Sequence, residues 1–148
     1  MVQKLTISTQ FDPFPVGYPL HALTDVTGFG LLGRLLEICR GSQAGARVDL
    51  GRVPLLPGVL EFARAGIFTG ASGRNWAGYG VDVDLDGSIG DAERTLLTDP
   101  QTSGGLLAAC APGAVDRVLA IFRNEGFASA AVIGEMVAGP SRVRVAAG

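Results

Sequence analysis

HALTDVTGFGLLGRLLEICRGS, residues His21 to Ser42, changes its periodicity part-way along and so decides the fold class. His21 to Val26 is a short apolar stretch that reads as a strand ending at Asp25. From Gly28 onward, Phe29, Leu32, Leu36 and Cys39 recur at helical spacing, and Leu31, Leu35 and Ile38 widen the stripe. Such a pattern is a helix buried on more than one side, with Gly41 as its natural stop.

Outward from that junction, helices and strands alternate. Ala46 to Leu50 reads as a strand. Leu55 to Ala65 reads as a helix closed by Gly66, with Leu56, Leu60, Phe62 and Ala63 inward. Gly70 to Gly80 reads as loop with at most a helical turn at Arg74 to Tyr79, and Val81 to Leu85 as a half-exposed strand. Asp91 to Thr98 is a short helix capped by Asp91 and ended by Pro100. Leu106 to Ala111 is a buried strand, Ala114 to Asn124 an amphipathic helix, and Ala130 to Val137 and Arg142 to Val145 two closing strands. The fold class is therefore α/β of the α+β type, a mixed sheet packed with helices. Phe29, Leu32, Leu36, Leu106, Leu107, Leu119 and Val132 are expected to be buried together. Residues 1–19 read as a leader or linker: Lys4 to Ser8 alternates only weakly, and Pro13, Pro15 and Pro19 interrupt regular structure.

With 148 residues the chain fits one domain with a sizeable core. Hydrophobic residues at 47% and charged residues at 18% exclude disorder. Twelve bases against fourteen acids leave a net charge of −2 with no basic block, which argues against nucleic acid as a partner. No apolar run approaches a membrane span, and the first residues form no signal-peptide core. Two cysteines, Cys39 and Cys110, sit in apolar segments and read as core residues; two are too few for a disulfide framework or a thiolate zinc site. The expected compartment is the cytoplasm. Glycine is the outlier: 22 residues, clustered at Gly28 to Gly30, Gly70 to Gly80 and Gly104 to Gly105, beside Thr, Ser, Asp and Asn. Backbone that turns tightly or approaches a ligand closely has this composition.

Three constellations could carry chemistry. Thr24-Asp25-Val26-Thr27-Gly28-Phe29-Gly30 sits where a strand meets a helix, a junction that favours anions. An Asp there suits Mg²⁺ shared with phosphate oxygens. On local chemistry alone, helix capping by Asp25 or Thr27 is the plainer account. Asp99-Pro100-Gln101-Thr102-Ser103-Gly104-Gly105 abuts a buried strand and could line a polar pocket or simply make a tight turn. Arg74-Asn75 could grip a phosphate, though a surface Arg is commoner. A fourth pattern, Asp82-x-Asp84-x-Asp86-Gly87 with Glu93, matches an EF-hand loop. The segment before it cannot make a firm entering helix, so a solvent-facing strand, a turn and a capped helix are expected instead, without tight calcium binding. His21 is the one histidine and reads as structural or exposed.

HALTDVTGFGLLGRLLEICRGS, PLLPG (Pro54 to Gly58), GRNWAGYG (Gly73 to Gly80), DPQTSGGLL (Asp99 to Leu107) and AAVIGEM (Ala130 to Met136) resemble, in this order, the C-terminal domain of the selenophosphate synthetase (selenide, water dikinase) family. The resemblance runs from about residue 20 to about residue 145, so residues 20–148 read as that domain and 1–19 as a segment without a family match. It places the chain in the aminoimidazole ribonucleotide synthetase superfamily and implies that superfamily's C-terminal-domain fold. The implied reaction is ATP, selenide and water giving selenophosphate, AMP and phosphate, with Mg²⁺ required. It implies a metal-ligand role for Asp25. Phosphate- or nucleotide-side candidates are Thr24, Thr27, Gly28, Gly30, Arg74, Asn75, Thr102, Ser103, Gly104 and Gly105. The family's nucleotide loop, further metal aspartates, reactive Cys or selenocysteine and essential Lys belong to an N-terminal ATP-binding domain. No catalytic residue is therefore expected in this chain, and inactivity alone is. A homodimer is implied as well. Arg34 stands where the family usually has His. The alternative is a non-catalytic binding or interaction module that keeps the fold.

Overall fold

The computed structural model describes residues 5–9 and 20–148. Among them, seven strands make one sheet: β1 (Leu5–Thr9), β2 (Leu20–Asp25), β3 (Gly45–Asp49), β4 (Val83–Leu85), β5 (Leu106–Cys110), β6 (Ala131–Val137) and β7 (Val143–Ala146). Five α-helices accompany it: α1 (Gly30–Ser42), α2 (Val59–Arg64), α3 (Gly70–Tyr79), α4 (Asp91–Thr98) and α5 (Val115–Asn124). The strand order is β2-β5-β1-β6-β3-β7-β4. β1 pairs in parallel with β5 and β6, and β7 in parallel with β3 and β4; β2/β5 and β3/β6 are antiparallel. The mixed sheet with packed helices is the fold class expected from the sequence.

α1 is the centre of the core, as its stripe predicts. Leu31, Leu32, Leu35, Leu36 and Cys39 are all 0% exposed. The helix is enclosed because it touches β2, β3 and β7 on one side and α3 and α4 on the other. Full burial of each leucine is worth about 1.5–3 kcal/mol relative to exposure. Leu107 and Ala109 of β5 join this core, whereas the alternating Ala108 and Cys110 are buried outside it. α5 packs on β1 and buries Leu119 apart from the α1 cluster.

Several expectations are corrected. Leu5–Thr9 is not leader: it is a strand in the interior of the sheet, held by parallel partners on both sides. Gly70–Tyr79 is a whole helix rather than a loop, because long-range side-chain bonds offset its glycines. α2 begins at Val59 and leaves Phe62 exposed. Phe29 lies just before α1, in its N-cap position, and is 50% exposed; Leu106 and Val132 are half-buried. The helix runs past Gly41, and Gln43 takes the left-handed C-terminal position at φ 51. Gly90 rather than Asp91 precedes α4, with Asp91 as its first residue. Val81 is exposed and β4 starts only at Val83.

Candidate functional site

Two of the sequence constellations meet, and the sheet brings them together. β2 pairs with β5, so Asp25 lies opposite Leu106. Past the strand ends the backbone continues the contact: Val26 N–H donates to the Gly105 carbonyl at 2.8 Å, and Gln101 N–H to the Thr27 carbonyl at 3.1 Å. The Gly30 N–H turns back to the same Thr27 carbonyl at 3.0 Å, closing the turn into α1. Two glycines allow this approach. Gly30 has φ +67, and a Cβ on it would lie 2.7 Å from the Thr98 carbonyl carbon. A Cβ on Gly104 would overlap the Val26 carbonyl oxygen.

Around this seam the candidates take different places. Asp25 is exposed at the end of β2. Thr24 turns its hydroxyl to the Asp25 carbonyl at a long 3.4 Å. Neither Asp25 nor Thr27 caps α1: its N-cap residue is Phe29, with no side-chain hydrogen bond. Gly28 is open, with nothing within 4 Å of a Cβ placed on it. Thr102 and Ser103 are exposed on the turn, while Gly105 is buried. Arg74 is exposed and lines a shallow cleft between α1 and α3 with Phe29, Glu37, Arg40 and Tyr79. Asn75 turns its amide donors to the backbone. Its Nδ2 donates to the Gly28 and Thr98 carbonyls, both at 2.9 Å.

Sequence reasoning missed two further participants. Arg34 reaches back past the start of α1 and donates from Nη2 to Thr27 Oγ1 at 2.7 Å, while Nη1 bonds Glu37 at 2.7 Å. Its guanidinium carbon lies 5.6 Å from the Phe29 ring centroid, within cation–π range. Tyr79 O–H donates to the Phe29 carbonyl at 2.7 Å, and burial pushes its hydroxyl pKa up. The available signal was spacing: Asn75 and Tyr79 stand four apart, hence on one face of a helix, in a segment too glycine-rich to be read as one.

Three of the four EF-hand-like acids are paired with arginines, and Asp86 accepts from the Ser88 N–H at 2.9 Å instead. Asp82 bonds Arg40 at 2.8 Å, Asp84 bonds Arg142 at 2.7 Å, and Glu93 bonds Arg64 at 3.0 Å. The Arg142 hydrogen bond holds the Asp84 carboxyl below its usual pKa. Among the described residues, no three His, Cys, Asp or Glu side chains converge as a metal cage. Both cysteines are buried and neither forms a disulfide; burial pushes the Cys39 thiol up to about 12, far from the thiolate form a nucleophile needs.

The AIR synthase related protein, C-terminal domain, family matches residues 2–146. The chain belongs to this family. As an AIR synthase-related domain it is 65% identical over 127 residues to a selenide, water dikinase of Burkholderia orbicola (strain MC0-3), covering 86% of this chain and 36% of that protein. It is 60% identical over 126 residues to the selenide, water dikinase of Pseudomonas straminea, covering 85% of this chain and 35% of that protein. For the Rhizobium meliloti (strain 1021) selenide, water dikinase the identity is 48% over 126 residues, with 85% of this chain and 36% of that protein covered. The chain thus spans about 36% of the length of such relatives. Thiamine-monophosphate kinase from Stenotrophomonas maltophilia shares the fold at a TM-score of 0.52 and 20% identity, over 86% of this chain and 31% of that one. The family match starts at residue 2, so it takes in β1 together with the rest of the sheet.

Proposed function

We propose that this AIR synthase-related domain works as the C-terminal part of a selenide, water dikinase, in which ATP, selenide and water give selenophosphate, AMP and phosphate. The observation that carries the reading is the seam between Asp25–Gly30 and Asp99–Gly105, where both resembling segments close on one another. The seam also fits Mg²⁺ and ATP. Asp25 is an exposed carboxylate beside a helix start that no side chain caps. One carboxylate suits Mg²⁺, which takes its remaining ligands from phosphates and water. When bound, the ion supplies charge neutralisation at the phosphate oxygens.

This chain's own residues then have distinct tasks. Asp25 holds the ion. Gly28, open on its Cβ side, lets a phosphate approach backbone N–H groups at the positive end of α1. Thr102 and Ser103 present hydroxyls from the facing turn, and Arg74 adds a charge at the rim. Gly30 and Gly104 serve the fold of the seam rather than the ligand, because the backbone of Thr98 and of Val26 occupies the space that a side chain on them would need. The nucleotide loop, reactive Cys or selenocysteine and Lys come from the other part of the enzyme, an N-terminal ATP-binding domain. We place the enzyme in the cytoplasm as a homodimer, which sedimentation of the complete protein checks. Among the described residues no helix is long and apolar enough to cross a membrane.

Phosphorus NMR of ATP and selenide tests the reading. The chain alone should give no selenophosphate, since phosphoryl transfer needs metals, phosphate cradle and nucleophile positioned together. Adding the N-terminal part of a selenide, water dikinase should produce it. Selenophosphate formed by the chain alone would show that the catalytic residues lie here.

A further inference from the structure

We propose that Asn75 is the positioning residue of the site: one side chain of α3 that brackets both loops and holds them in register. The proposal rests on reading those loops as the phosphate-handling seam. An Asn amide carries two N–H groups and no more. Here both are spent, on the Gly28 carbonyl of one loop and on the Thr98 carbonyl that leads into the other, each at 2.9 Å. Two carbonyl oxygens facing one atom also fix the amide's orientation, because the flipped amide would set Oδ1 against both.

The neighbours on α3 show why the task falls to this residue. Ser72 shares a hydrogen with Thr98 Oγ1 at 2.6 Å and donates to the Thr95 carbonyl at 3.1 Å, so it grips α4 only. Tyr79 donates to the Phe29 carbonyl at 2.7 Å and grips the first loop only. Ser72, Asn75 and Tyr79 form one polar stripe at helical spacing, and Asn75 alone of the three touches both sides. The joint it spans is backbone against backbone: a Cβ on Gly30 would lie 2.7 Å from the Thr98 carbonyl carbon. Hydrogen bonds across this joint oppose sliding. Movement of Gly28 carries Asp25, three residues earlier, with it.

Amide hydrogen exchange by NMR on the whole chain tests this. The reporters are Gly30 and Gln101, whose N–H groups both donate to the Thr27 carbonyl. Asn75→Asp keeps the shape, removes the donors and sets a carboxylate against two carbonyls. Exchange at both reporters should quicken by roughly tenfold or more, with Leu35, Leu36 and Ile133 unchanged. Tyr79→Phe should quicken Gly30 and spare Gln101, and Ser72→Ala should spare Gly30. In the enzyme reconstituted with the N-terminal part of a selenide, water dikinase, Asn75→Asp should lower kcat while KM for ATP moves less than about threefold. Unchanged reporters, or equal loosening of the core, overturn the proposal. If Asn75→Asp does not fold, Asn75→Ser, which keeps one donor, carries the same test. Loosened reporters together with no selenophosphate from the native reconstituted enzyme would sink the phosphate-handling reading and leave the bracket standing.

Discussion

Gly104→Ala is expected to cost more than about 4 kcal/mol, the exceptional tail of single substitutions, and to leave β2 detached from β5. The Cβ position is set by the backbone, so no rotamer relieves it. On Gly104 it overlaps the Val26 carbonyl oxygen and lies 2.7 Å from the carbon of that carbonyl. The two chains must separate, and the Val26 N–H to Gly105 carbonyl bond of 2.8 Å goes with them. Breaking it strands a donor on Val26, which is 0% exposed, adding about 1–3 kcal/mol. Gly28→Ala, two residues past Val26 and with nothing within 4 Å of its Cβ, should change stability by no more than about 0.5 kcal/mol. Urea unfolding of the two variants checks the contrast. Equal stabilities would mean that the seam opens freely and is not the rigid element described above.

That seam also marks how far the sequence could be read. The α1 stripe was legible because Leu31, Leu32, Leu35, Leu36 and Cys39 obey a local period and all are buried. Phe29 extends the same period by one step, yet it precedes the helix and lies half exposed, since Gly30 begins the first turn. α3 was illegible for an energetic reason. Gly70, Gly73 and Gly78 each cost a helix about 1 kcal/mol relative to Ala. What holds the segment is long-range: Ser72, Asn75 and Tyr79 reach carbonyls of Thr95, Gly28, Thr98 and Phe29. No window of sequence displays those partners. Leu5–Thr9 was hidden in the same way. Five residues followed by prolines carry little local preference, and strand pairing with β5 and β6 supplies the structure.

The loops of the site were recognisable as loops, since Gly, Thr, Ser and Asp cluster in both. Their meeting was not, because Thr27 and Gln101 are joined only once β2 finds β5. The structure also sorts residues that composition treats alike. Asn75 and Arg74 are adjacent in sequence, but one is spent on the backbone and the other faces a cleft. Asp25 and Asp82 are both aspartates near glycines, but only Asp82 is bonded to an arginine, Arg40, with Arg142 at 3.9 Å.

That last difference leads to the largest functional effect expected. In the enzyme reconstituted with an N-terminal domain, Asp25→Asn should lower selenophosphate formation by about 100-fold or more. A metal at the phosphoryl group is worth several kcal/mol of charge stabilisation, and each ~1.4 kcal/mol is a factor of ten in rate. Asn keeps the size of Asp25 and leaves the exposed end of β2 unstrained, so the loss should appear in turnover and not in the melting curve. Asp82→Asn removes a charge facing Arg40, an exposed pair worth about 0–1 kcal/mol of stability. Its turnover should stay within about twofold of the native value. Raising Mg²⁺ should recover part of the Asp25→Asn activity if the lost interaction is with the ion, because weaker binding is answered by mass action. Equal damage from both substitutions would show that the acidic stretch, not the β2–α1 junction, holds the ion. An Asp25→Asn enzyme retaining a third or more of native turnover would remove the carboxylate from the mechanism.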